Sequence, residues 1–131
     1  MKYTAAILES LGACYTTAFA ALFPDGAELT RDNLLKAAEG GLDIGWFAER
    51  VLSGNRRDEF IKLTNLALAE YDRSFAGAWH RYQGSTAAVG IVHSNLFTPL
   101  TAYEYKKLVV ALRHKYNKAI APALADALGL P

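Results

Sequence analysis

Cysteine occurs once in this chain, at Cys14, and histidine three times. A single cysteine excludes an internal disulfide. His80, His93 and His114 each lack a second histidine, cysteine or carboxylate three or four residues away, the spacing that would put two metal ligands on one helix face. Patterns such as H-E-x-x-H, a cysteine pair or Glu-x-x-His are absent, so neither a metal nor a cofactor is expected. No run approaches the ~20 consecutive apolar residues of a membrane span. Internal repeats and low-complexity tracts are missing too. Charge of one sign is not in excess: 14 basic side chains face 13 acidic ones, a net charge of +1.

What remains is a chain of 131 residues, 52% hydrophobic and 21% charged. That composition is far from a disordered one, and the length suits one domain, residues 1–131, with its own core. The apolar spacing is helical nearly throughout. It predicts an all-α single compact domain, a bundle of five to six helices packed around a long central helix at about 57–82.

A first helix is expected from Tyr3 to Phe23, with Ile7, Leu8, Leu11, Cys14, Tyr15, Phe19 and Leu22 on its apolar arc. Cys14 would then be a buried thiol acting as a small hydrophobe, in keeping with a reducing, cytoplasmic setting. Lys2 followed by Ala5-Ala6-Ile7-Leu8 and Ala18-Phe19-Ala20 has the outline of a secretory leader, which Glu9 interrupts. The opposite side of this helix carries Ala6, Ala13, Thr17 and Ala20, small enough for another helix to approach, in the same subunit or in a homo-oligomer.

Thr30 is placed to cap a second helix, Arg31 to Glu39, which Gly40-Gly41 ends; Asp43 is placed to cap a third, Ile44 to Leu52. Gly54-Asn55 breaks the chain again, with Asn55 as the cap of the central helix. Phe60, Ile61, Leu63, Leu68, Tyr71, Phe75, Trp79 and Tyr82 give that helix an apolar arc of roughly 160°, so neighbours are expected on two sides. The stretch 85–95 reads as helix, loop or strand, with helix favoured because no second strand is evident. Thr101-Ala102-Tyr103-Glu104 matches a capping box and opens a helix over about 102–119. A final short helix follows, from Ala121 or Pro122 to Leu128.

The helix at 102–119 divides into an apolar stripe, centred on Tyr105, Leu108, Val109, Leu112 and Tyr116, and a basic stripe. The basic side carries Lys106, Lys107, Arg113, His114 and Lys118, with Asn117, and has Tyr103 and Val110 between the cations. Charge along the chain is polarised in the same sense. Residues 1–50 hold four basic and seven acidic side chains, and residues 101–131 hold five and two.

Other candidate sites are weaker. Gly84–Gly90 is small-residue rich but lacks the Gly-Lys-Ser/Thr of a phosphate loop. His93-Ser94-Asn95 is a polar trio that only a loop could bring into one cleft. A helix-turn-helix over Leu34 to Leu52 fails in both registers of its turn glycine. Trp46 reads as a core anchor or as the exposed anchor of a binding surface. With no catalytic constellation, the expectation is a small intracellular, non-catalytic protein-binding protein (an adaptor, inhibitor or accessory factor). The alternative is a nucleic-acid-binding module using Tyr103, Lys106, Lys107, Arg113, His114 and Lys118. A third reading is a helical enzyme or ligand carrier with a cleft near Trp46 and His93.

Overall fold

The computed structural model describes residues 2–87 and 100–131. Along the described chain run β1 (Lys2–Tyr3), α1 (Ala5–Ser10), α2 (Thr16–Leu22), β2 (Ala27–Glu28), α3 (Arg31–Glu39), α4 (Ile44–Val51), α5 (Gly54–Ala87) and α6 (Ala102–Ala127). The protein is all-α, with six helices among the described residues and α5 as its long central helix. Contacts gather into two compact units. One comprises Met1–Asn65 with Asn117–Pro131, the other Leu66–Tyr116, and the division passes through α5 and α6.

In the first unit the single helix expected from Tyr3 to Phe23 is two helices. The Thr4 hydroxyl caps α1 by accepting from the Ile7 N–H at 3.2 Å. At the other end Gly12 takes φ +94, and the Ala13 N–H returns to the Leu8 carbonyl. Such a left-handed turn closes a helix and is open to glycine at little cost. The break is invisible to periodicity because Leu8 and Phe19, the buried residues of α1 and α2, are also in phase on one continuous helix. Two expectations fall with it. Cys14 lies in the break and is exposed, not buried. Ala6, Ala13, Thr17 and Ala20 do not share one helix face: Ala6 is on α1, Ala13 in the turn and the other two on α2.

A two-residue antiparallel pair, Lys2↔Glu28 and Tyr3↔Ala27, is a further departure from the strand-free expectation. Gly26 permits it. Its φ is +84, and a β-carbon there would stand 2.7 Å from the Tyr3 carbonyl oxygen.

The helices α3 and α4 follow the sequence closely. Thr30 Oγ1 accepts from the Asn33 N–H at 3.1 Å, and the bond from the Leu42 N–H to the Ala37 carbonyl closes α3 at Gly41, φ +85. For α4, Asp43 Oδ1 accepts from the Trp46 N–H at 2.9 Å, while Ile44, Phe47 and Ala48 are buried. The remaining free donors at this N-terminus come under Asn117, whose Oδ1 accepts from Ile44 at 3.0 Å and Gly45 at 3.4 Å. Asn117 is therefore a buried cap and not part of a polar outer stripe.

The expected end of α6 near Ala119 is also corrected. The helix continues through Pro122 to Ala127. Proline removes one backbone N–H and crowds the preceding turn, but Ile120, Ala121, Leu124 and Ala125 are fully buried around it. Arg31 further secures this end by donating to the carbonyls of Pro122, Leu130 and Pro131 and to Asp126 Oδ1 at 2.6 Å. Carbonyls left free at a helix C-terminus favour such a cation.

In the second unit α5 and α6 run antiparallel. Tyr71 meets Tyr116 with ring centroids 5.1 Å apart, and Tyr82 stacks on Tyr105 at 4.7 Å. An advance along α5 is thus matched by an equal retreat along α6. Trp79 joins Tyr105 at 5.7 Å, and Lys115 pairs with Glu70 at 3.2 Å.

The start of α5 differs from expectation: it begins at Gly54, φ +57, so Asn55 is inside the helix and is not its cap. Nor is the wide apolar arc covered on two sides. Of its members Ile61, Leu63, Leu68 and Trp79 are exposed, and Leu66, which lies off the arc, is 85% exposed. Among the described residues of the second unit, a pair of helices covers only one side of each.

The capping box forms as the sequence predicts. The Glu104 N–H donates to Thr101 Oγ1 at 3.1 Å, and the Thr101 N–H to Glu104 Oε1 at 3.3 Å. Removing it with Thr101→Ala is expected to cost about 1 kcal/mol in a urea titration. An unchanged midpoint would mean that α6 starts independently of this cap.

Candidate binding surfaces

The outward side of α6 in the second unit is built by subtraction. Tyr105 and Tyr116 are taken up by α5, so Tyr103, Lys106, Lys107, Val110 and Arg113 lie on the far side at 100° per residue. All five are exposed, Tyr103 at 74% and Val110 at 64%. Tyr103 and Val110 are seven residues apart, about 10 Å along one line of the helix. Lys106 and Arg113 flank that line on one side and Lys107 on the other. Among the described residues, none of these three cations is in an ion pair.

Two residues expected on this stripe are placed differently. His114 is half-buried, and its Nε2 is shielded from solvent without a hydrogen-bond partner, so it does not offer that nitrogen to a ligand. Lys118 is exposed but belongs to the first unit.

Trp46 serves less as a core anchor than its neighbour Phe47, which is buried. Trp46 itself is half-buried, edge-on to Tyr15 at 5.5 Å, and the Arg50 guanidinium lies 4.9 Å over its ring. His93, the proposed cleft partner of Trp46, lies outside the described residues. So do the Ser94 and Asn95 of its polar trio and the part of 85–95 beyond Ala87, the last described residue of α5. Among the described residues no group of three His, Cys, Asp or Glu side chains could hold a metal, and no helix is long and apolar enough to cross a membrane.

Sequence reading missed a cavity in the first unit, of about 50 Å³ and open on one side. Tyr3, Tyr15, Phe19, Phe23 and Phe47 contribute to its wall, together with Glu28 and Asp43. The Tyr15 hydroxyl is held well above the ordinary phenol range, first by burial and then by the negative charge of Asp43 and the Cys14 thiol. It therefore stays neutral and adds no charge to the site. These residues come from separate elements, and no local spacing announces that they meet. No known protein family, curated protein or solved structure matches the chain. The two surfaces must be read from their own chemistry.

Proposed function

We propose that this is a non-catalytic protein-binding protein that takes an acidic amphipathic helix of its partner on the outward face of α6. The observation carrying this reading is the line of Tyr103 and Val110, exposed between Lys106, Lys107 and Arg113, cations that form no ion pair among the described residues. Large apolar side chains left in water gain by burial, and a seven-residue interval is the repeat at which a partner helix presents its own apolar seam. Cations on both flanks would meet acidic residues bordering that seam, giving register and selectivity more than affinity. The unit bearing the face has six basic and three acidic residues, a surplus of the matching sign. An intracellular, cytoplasmic setting goes with this reading.

The same cations, with Tyr103 available for stacking, favour single-stranded nucleic acid as the second reading. Fluorescence anisotropy separates the two, using a labelled acidic amphipathic peptide, a labelled single-stranded oligonucleotide and a duplex at low and near-physiological salt. The account expects the peptide to bind at both salts. A combined Lys106→Glu, Lys107→Glu, Arg113→Glu variant is expected to fold normally and to lose that binding. Oligonucleotide binding with a steep salt slope, and none of the peptide, would transfer the function to the second reading. Binding of neither would remove the face as a docking site.

A further inference from the structure

The cavity of the first unit has a chemistry independent of the α6 face. Nearly all of its exposed wall is apolar, and the buried aliphatic side chains Leu8, Leu34, Leu42 and Ile44 line it together with Phe19 and Phe23. We propose that it receives the end of an uncharged, unbranched aliphatic chain, whose remaining part leaves through the open side.

Three observations lead to that class. The first is the wall itself. A water molecule held inside would need polar partners that such a wall does not supply, whereas carbon atoms placed there gain contacts and leave water. The second is that polar side chains of the lining are already engaged. Thr30 Oγ1 accepts from the Asn33 N–H, the Asn33 side-chain amide donates to the Glu28 carbonyl, and Asp43 caps α4. A charged group buried here would go uncompensated, so the ligand's polar end stays outside. The third is size. The cavity holds about 50 Å³, against about 150 Å³ for one that admits a benzene ring. A ring is too wide, and the last few carbons of a straight chain fit.

Small side chains make this room. Ala27 on β2 and Ala37 on α3 are both buried, and both line the cavity. A larger apolar residue at either place would occupy the space the chain end takes.

The test is an NMR titration of the full chain with 1-hexanol and with cyclohexylmethanol, which carries one more carbon but ends in a ring, so that partitioning alone does not favour the straight chain. 1-Hexanol is expected to shift the methyl signals of Leu8, Leu34 and Ile44 saturably and to bind about tenfold more tightly than the ring alcohol, the factor for about two methylenes buried or left out. Ala27→Val adds two methyl groups at the wall in a residue that suits a strand, and should weaken 1-hexanol by about the same factor. Should that variant fail to fold, Ala37→Val makes the same comparison from α3. Absence of saturable shifts, equal affinity for the two alcohols, or undiminished 1-hexanol binding in the folded variant would each overturn the proposal.

Discussion

Leu124→Ala is expected to destabilise the protein by about 2–5 kcal/mol, the range for removing a fully buried leucine from a core that only partly closes over the void. Leu124 is 0% exposed and, with Ile120, is one of the two largest fully buried side chains among the described residues. It lies two residues past Pro122, on the helix end fastened by Arg31. For a domain stable by about 5–15 kcal/mol, such a loss would lower the melting temperature by roughly 10 °C or more. Leu66→Ala is the matched control. At 85% exposure it should change stability by less than about 0.5 kcal/mol. Thermal and urea melts of the two variants check both. Equal effects would contradict the burial assigned to the far end of α6.

Asn117→Ala should also be costly, about 1–3 kcal/mol, for a different reason. At the start of α4 the first three residues are Ile44, Gly45 and Trp46, whose N–H groups have no partner within the helix. Asp43 accepts from Trp46, and Asn117 accepts from the other two. Removing the Asn117 amide therefore leaves the Ile44 N–H without its acceptor in the interior. Asp43→Ala, at the exposed cap, should cost about 1 kcal/mol. Urea titrations of both single variants and the double variant test this ordering. A smaller loss at Asn117 than at Asp43 would show that the long-range cap contributes little.

Asn117 also shows where sequence reasoning stops. On α6 the buried arc of the first half is Tyr105, Leu108, Val109, Leu112 and Tyr116, which are half-buried. Beyond it the buried set is Asn117, Ile120, Ala121, Leu124 and Ala125, rotated by more than about 100° around the helix. A periodicity search assumes one buried direction per helix. It therefore read Asn117 as outward and ended the helix at the change of phase, where Pro122 supplied a second reason to stop.

Local chemistry was more legible. Thr30, Asp43 and the Thr101/Glu104 pair cap the helices the sequence assigned to them, because a cap is specified within four residues. Gly12 was a stop signal hidden by the apolar residues on either side of it. Of the basic stripe, the exposed members Tyr103, Lys106, Lys107 and Arg113 could be read from helical phase. The inward Nε2 of His114 could not, because phase gives the side of a helix and not the rotamer or the packing around it. The aromatic cavity was out of reach, since its walls come from residues between Tyr3 and Phe47 on separate elements.

The central claim, that the outward face of α6 is where a partner docks, is tested most directly by mapping amide shifts of the isotope-labelled protein as an acidic amphipathic helical peptide is added. The account predicts that shifts concentrate on residues 103–113, centred on Tyr103, Lys106, Val110 and Arg113, and disappear in the triple charge-reversal variant. Shifts confined to the exposed apolar residues of α5, or unchanged by charge reversal, would contradict it.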